Sequence, residues 1–263
     1  MFFRKLATAT AALVTCSAAL ATPVVTQSSN ALALATAIGG SGISISHAVF
    51  SSDIGAGSAG TFTGGASTVG FDKGIVLTTG TTNCVAGPNN KGDCGNSAGT
   101  YSSLKFDFSS ATGAVFFRYV FGSEEYNEYV GSRFNDRFEL LLNGVNIAKL
   151  PGSGTEVAIN SVNCGINSAF YRNNSTIPGC ASNNLDIQYD GLTTVLTASA
   201  KVLAGSVNTF EFRVLDVGDS AYDSGVFIEA GSFSGTSDVP EPGSLALAGL
   251  ALAALGVGRR RRA

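Results

Sequence analysis

Two stretches of a chain otherwise poor in charge concentrate carboxylates. "FGSEEYNEYVGSRFND", residues 121–136, holds Glu124, Glu125, Glu128, Asn135 and Asp136, and "DVGDSAYDSG", residues 216–225, holds Asp216, Asp219 and Asp223. Each follows an apolar, β-branched and aromatic run, so each is expected in a loop at a strand end. Such loops suit calcium, which takes about six to eight oxygens from carboxylates, amides and backbone carbonyls. The spacing of Asp216, Asp219 and Asp223 fits a loop that wraps an ion, though it is not the EF-hand pattern. Glu124, Glu125 and Asp136 would complete the shell if the two loops meet in space. In the competing reading these carboxylates cap turns and pair with Arg118, Arg133 and Arg213.

Paired carboxylates also raise glycoside hydrolysis, which needs two of them facing each other about 5–10 Å apart. Glu124 and Glu125 are adjacent, so on an extended backbone they point to opposite sides, and a pair would have to be drawn from both loops. The chain has no Trp to stack on a sugar ring. Sugar binding without hydrolysis could use Tyr126 and Tyr129 as stacking faces, unless these rings pack against the domain. Nucleophilic catalysis would rest on His47, the single histidine, which lies in the alternating stretch "ISISHAVF" and reads as a structural or surface residue. "ATAIGGSG" is not followed by Lys-Ser/Thr and is no phosphate loop. A non-catalytic protein is expected.

The elements that must position these loops read as β. Leu104, Phe106 and Phe108 alternate with Lys105 and Asp107, and "AVFFRYVF" from Ala114 is a strand-type run. "FELLLNGVNIAKL" reads as two strands around Asn143-Gly144. Further strands are expected at "GIVLTTG" from Gly74, "VAINSV" from Val157, "LDIQYDGLTTVLTAS" with a turn at Asp190-Gly191, "NTFEFRVLDV" from Asn208 and "GVFIEAGSF" from Gly225. One helix, "NALALATAI", has Asn30 as its cap. About ten short strands separated by turn residues imply an all-β fold, an antiparallel β-sandwich or jelly-roll-like single domain over residues 22–236.

The two ends carry export features. Arg4 and Lys5 precede an apolar stretch and then Ala19-Leu20-Ala21, a small-x-small site that places signal-peptide cleavage after Ala21. "LVTC" at Cys16 has the outline of a lipoprotein site, but Thr15 is bulkier than such a site takes. At the other end a linker with two prolines, residues 237–243, leads into an apolar helix and Arg-rich tail, residues 244–263. The apolar core, Leu245 to Val257, is thirteen residues, about 20 Å as a helix against about 30 Å of bilayer hydrocarbon. Arg259, Arg260, Arg261 and Arg262 would stop transfer and stay cytoplasmic. Between the basic ends, residues 22–258 carry ten basic and nineteen acidic groups, a formal charge of −9. That repels nucleic acid and attracts cations. Four cysteines form two sequence-local pairs, Cys84 with Cys94 and Cys164 with Cys180, each bracketing a Gly, Asn and Ser-rich loop. This is the pattern of disulfides in an oxidising compartment, and no CxxC spacing suggests zinc.

The tail, Val239-Pro240-Glu241-Pro242-Gly243 followed by a short apolar helix and Arg259 to Arg262, resembles the PEP-CTERM sorting signal of exopolysaccharide-producing Gram-negative bacteria. The resemblance implies recognition of Pro-Glu-Pro by an exosortase, a membrane-embedded protease, and transient insertion in the inner membrane. "GFDKGIVLTTG", "FGSEEYNEYVGSRFND", "LLNGVNIAKLPG", "INSVN", "YDGLTTVLTA" and "LDVGDSAYDSGVFIEAGSF" are similar to the choice-of-anchor L domain of surface proteins, with Arg137 standing where an apolar residue is expected. This implies a secreted surface module and gives no catalytic residues. Together these readings describe an exported, disulfide-stapled, adhesive or structural domain with a calcium site. Its partners would be exosortase, exopolysaccharide or other surface proteins.

Overall fold

The computed structural model describes residues 22–94 and 99–236. In chain order these form β1 (Val24–Gln27), α1 (Ala31–Ile38), β2 (Ile43–Ser52), β3 (Ala59–Thr63), β4 (Gly74–Thr78), β5 (Tyr101–Ser110), β6 (Ala114–Ser123) and β7 (Arg137–Leu142). They continue with β8 (Val145–Asn146), β9 (Val157–Ala158), β10 (Tyr171–Asn173), β11 (Gly191–Thr193), β12 (Leu196–Lys201), β13 (Asn208–Leu215) and β14 (Ser224–Glu229). One sheet has the order β1-β3-β4-β14-β6-β11-β10, with β12 also beside β6. The other has the order β2-β5-β13-β7-β8, with β9 beside β7. The named strands pair antiparallel throughout both sheets. The expected all-β sandwich is therefore present.

Alternation decides which side chains meet between the sheets. Leu104, Phe106 and Phe108 of β5 are buried while Lys105 is exposed, and on β13 Phe210 pairs with Phe106, Phe212 with Leu104 and the buried Val214 with Ser102. Facing them from the other sheet, β6 contributes Val115, Phe117, Tyr119 and Phe121. Phe210 sits at the centre, stacked on Phe108 at 4.7 Å and met edge-on by Phe117 at 5.4 Å and Phe233 at 5.2 Å. Helix α1 adds Leu34, Ala35 and Ile38 to this core, and the Asn30 side chain accepts from the Ala33 N–H at 3.0 Å as expected of its cap. A smaller core of Phe62, Phe71, Val76, Tyr189 and Phe227 covers the outer face of the first sheet. That cover leaves β4 buried along its whole length, which is why "GIVLT" is continuously apolar rather than alternating.

Local turn chemistry follows the sequence in most places. Asn143 and Gly144 take φ of 49° and 84°, the left-handed pair that a tight hairpin requires, and they join β7 to β8. Cys84 is bonded to Cys94 and Cys164 to Cys180, the local pairing. Arg137 opens β7 and pairs with Glu139 at 2.8 Å, which keeps its charge out of the core. "VAINSV" yields only Val157–Ala158, because the Ser161 and Val162 N–H groups turn back to the Ala158 carbonyl.

Asp190-Gly191 is not a turn. Gly191 opens β11, which pairs with Ser123 and Gly122 at the end of β6, while β12 pairs with the rest of the same strand. Glycine is needed for closeness: a Cβ there would overlap the Tyr171 hydroxyl and lie 2.6 Å from the Tyr126 ring. The chain thus runs along β6 where a hairpin was expected.

Replacing Phe210 with Ala should lower stability by about 3–5 kcal/mol, the cost of emptying a packed aromatic site. Leu203→Ser, at a position 75% exposed, should stay within about 0.5 kcal/mol. Urea unfolding of the two variants checks both values.

Candidate functional site

Both acidic stretches fall at one pole of the sandwich, where the strands of each sheet end. In the first sheet, Glu124 follows the last residue of β6 and Asp223 precedes the first residue of β14. Ser123 pairs with Ser224, and the Glu124 N–H donates to the Asp223 carbonyl at 3.0 Å, so the pairing continues one step past the strands. Residues directly opposite in an antiparallel pair share a face, which sets the two carboxylates side by side. Across β6, Gly191 also pairs with Ser123, so Asp190 comes level with Glu124 from the other flank. Asp93 arrives on the loop closed by Cys84–Cys94, and the Cys94 N–H donates to Glu124 Oε2 at 3.3 Å. A Cβ at Gly80 would overlap the Asp223 carboxylate, so only glycine leaves that space open.

In the second sheet, Leu215 of β13 pairs with Arg137 of β7, which sets Asp216 and Asp136 opposite each other just beyond the strands. Asp136 accepts from the Val217 N–H at 2.8 Å and from the Ser224 hydroxyl at 2.7 Å, tying this group to β14 of the first sheet. Asp219 lies exposed in the turn that follows and accepts from the Ala221 N–H at 3.2 Å. The Glu125 N–H donates to the Ser123 hydroxyl oxygen at 3.0 Å.

These carboxylates are largely desolvated, and Asp136 has a neighbouring counter-charge in Arg137. Glu124, Glu125 and Asp223 are 1% exposed and Asp216 is 7% exposed. Among the described residues, Glu124 Oε1, Glu125 Oε2, Asp93 Oδ1 and both carboxylate oxygens of Asp216 and of Asp223 make no hydrogen bond. Burial, reinforced by the neighbouring Asp223, Asp190 and Asp93, pushes Glu124 up to about 9. Burial with Asp136, Asp219 and Glu128 does the same to Glu125, also to about 9. Burial with Asp136, Asp219, Glu125 and Asp223 takes Asp216 to about 9. Burial is also the main cause for Asp136 and Asp223, each raised to about 7, and for Asp190, raised to about 6.

The arginines expected to neutralise this pole are engaged elsewhere. Arg118 binds Glu229 at 2.6 Å, Arg213 binds Glu139 at 3.1 Å, and Arg133 lies over the Phe134 ring at 4.8 Å. Turn capping does describe Asp136 and Asp219, through the bonds given above, but it leaves Glu125, Asp216 and Asp223 unexplained. As the side chains stand, no three His, Cys, Asp or Glu among the described residues are gathered as metal ligands would be.

The structure thus brings all six predicted carboxylates to one pole, and it adds Asp93 and Asp190, which the sequence reading missed. The signal for Asp93 was present, since it lies next to Cys94 in a stapled loop. Asp190 was hidden by the turn reading. Tyr126 is fully buried against Tyr171, 4.8 Å between ring centres, and is no stacking face for a sugar. Tyr129 packs on Phe134 and Tyr222. His47 is exposed and bonded to Asp107 at 3.1 Å, on the second sheet. Beside Asp190 lies a cavity of about 260 Å³ lined by polar groups that include Asn89, Lys91, Glu128 and Ser175. The signal-peptide site at Ala21, the sorting residues Val239 to Pro242 and Arg259 to Arg262 lie outside the described residues. No helix among the described residues is long and apolar enough to cross a membrane.

Comparison with known proteins agrees with the two resemblances read from the motifs. The family model of the choice-of-anchor L domain matches residues 22–234, and that of the PEP-CTERM protein-sorting motif matches residues 238–262. No curated protein and no solved structure gives a significant match. The sorting motif implies exosortase processing and marks an exported, cell-surface protein. With more than two thirds of its length matched and the fold an antiparallel sandwich, the chain belongs to the choice-of-anchor L domain family, with a PEP-CTERM protein-sorting motif behind that domain.

Proposed function

We propose that this protein is a non-catalytic structural or adhesive module of the cell surface whose acidic pole binds calcium. The observation that carries this reading is the set of buried carboxylate oxygens without hydrogen bonds on Glu124, Glu125, Asp216 and Asp223. A buried carboxylate is tolerated when paired, protonated or bound to metal. The arginines that could pair are used elsewhere, and the donors are all hard oxygens, the ligand type calcium takes. Extracellular surroundings supply that ion in quantity, so a site of modest affinity would suffice.

Export and anchoring fit the same picture. The chain leaves the described residues at Thr236, beside the start of β6: Ser234 exchanges hydrogen bonds with Phe116, and Gly235 binds Ser41 and Thr112. Glu124 is at the far end of this ten-residue strand, about 30 Å away. A tail held briefly in the inner membrane of a Gram-negative cell would keep the acidic pole pointing away from the anionic lipid surface. Exosortase would then cut near Pro240-Glu241-Pro242 and release or transfer the domain to the cell surface.

A second reading, binding of exopolysaccharide, is favoured by the polar cavity beside Asp190. Its amides, hydroxyls and carboxylates match the hydrogen-bonding needs of sugar hydroxyls. Catalysis on such a polymer would need an acid and a second carboxylate working across a bound sugar.

Thermal unfolding in excess calcium and then in EDTA tests the main reading. At about a hundred times its dissociation constant the ion adds about 2.7 kcal/mol, so the melting temperature should rise by several degrees, and Asp219→Ala should weaken the shift. An unchanged melting temperature would sink the calcium reading. The pH dependence in EDTA has a definite sign. Carboxyls whose folded pKa lies above the unfolded value contribute stability that is full below about pH 4 and is lost as pH rises through the folded values, about 6 to 9. The metal-free protein should therefore melt progressively lower from pH 5 to 9 on this account, and saturating calcium should remove that slope. For sorting, deletion of Pro240 to Pro242 should leave the precursor uncut in cell fractionation; normal processing would overturn the exosortase step.

A further inference from the structure

We infer that the outer face of the second sheet carries a binding site for a neutral, hydroxyl-rich ligand, a sugar unit of a glycan, apart from the cavity beside Asp190. The inference goes beyond the calcium reading and does not depend on it. A cavity of about 580 Å³ opens on this face, within the size range of ligand sites. Strand register brings its lining together in two outward-facing rows. Ser51, Ser103, Arg213 and Glu139 line up across β2, β5, β13 and β7, and Tyr101, Leu215 and Arg137 line up one row nearer the pole. Ser103 is small and 5% exposed, which leaves the hollow between Ser51 and Arg213. Val217 and Gly218, in the turn after β13, close the end at the pole, where the buried Asp216 borders the cavity.

The polar groups of this face are held in place by one another. Glu139 binds Arg137 through Nε at 2.8 Å and Arg213 through Nε at 3.1 Å and through Nη2. Glu211 accepts from the Ser103 hydroxyl at 3.1 Å, and the Ser51 and Tyr101 hydroxyls share a hydrogen bond at 2.9 Å. A guanidinium carries five N–H donors, so both arginines keep outer donors for a ligand, and Glu211 keeps an acceptor oxygen. The side chains of Arg137, Arg213 and Glu211 are 34%, 36% and 23% exposed, which leaves those groups within reach from solvent. Tyr101 and Leu215 add apolar surface beside them.

Three features select the ligand class. The two arginines are balanced by Glu139 and Glu211, so the face offers donors and acceptors with no excess of either charge. The acidic balance of the chain between its basic ends works against a polyanion. A peptide cannot add here as a strand, because β5 and β13 are paired along both edges; recognition falls to side chains alone. A neutral sugar meets all three conditions: its hydroxyls both donate and accept, and its C–H face packs on Tyr101 and Leu215. The row from Ser51 to Glu139 crosses four strands, about 14 Å, so the site accepts a chain laid across the sheet.

The test is affinity electrophoresis of the purified protein in native gels without added calcium, containing dextran, galactan or mannan as neutral probes or alginate as an acidic one. Retardation by at least one neutral polymer, and none by alginate, is expected. Tyr101→Ala and Glu211→Gln should each weaken that retardation about tenfold while keeping the far-ultraviolet circular dichroism of the parent. Asn90→Ala, at an exposed position lining the cavity beside Asp190, should leave it unchanged. Retardation by none of the neutral polymers, or by alginate alone, would overturn the inference. Loss of binding in Asn90→Ala with Tyr101→Ala and Glu211→Gln unaffected would also overturn it, and would move the sugar to the other cavity. The calcium reading stands or falls separately, on the melting experiment.

Discussion

Removing a carboxylate from water costs several kcal/mol unless a counter-charge, hydrogen bonds or a proton replaces what the solvent supplied. This chain places Glu124, Glu125, Asp136, Asp216 and Asp223 out of solvent at one end of its sandwich, and only Asp136 has both oxygens hydrogen-bonded. The remaining architecture has to withstand that concentration of like charge. It does so by ending four strands from two sheets at the same pole and by bonding Cys84 to Cys94 beside the carboxylates. The aromatic core around Phe210 lies between the same strands and holds them in register.

The same constraint organises the two ends of the molecule. The chain exits beside the start of β6, and the acidic pole lies beyond its end. The last described residue and the buried carboxylates therefore lie at opposite ends of β6. The arginines, which could have neutralised the pole, are instead spent along the strand faces: Arg118 with Glu229, and Arg137 and Arg213 with Glu139. Those pairs stabilise the sheet faces modestly and leave the pole to its own chemistry.

Features set by neighbours in sequence were legible. The Asn30 cap and the Asn143-Gly144 hairpin depend on residues a few positions apart and the two cysteine pairs on residues ten and sixteen apart, and each appears as read. The alternation in β5 and β13 gave the all-β class because a period of two admits few other structures. Asp190-Gly191 was misread for a physical reason. Glycine serves both tight turns and close approach, and here the Tyr171 hydroxyl and the Tyr126 ring occupy the space a side chain would need. Tyr126, offered as a sugar platform, went to the interior because its ring packs on Tyr171, a residue forty-five positions away.

By itself the sequence determined the fold class, the disulfide pairing, the family and the residue types of the acidic pole, since composition, spacing and local propensity carry all of these. It also placed Glu124 and Glu125 side by side at the end of an apolar run. Only the tertiary structure decided what each of them meets. Strand register, which depends on pairing between distant segments, set Asp223 and Asp190 beside Glu124 and Asp216 opposite Asp136, and the Cys84–Cys94 loop brought Asp93 to them. Burial, which depends on both sheets closing, left their oxygens without partners.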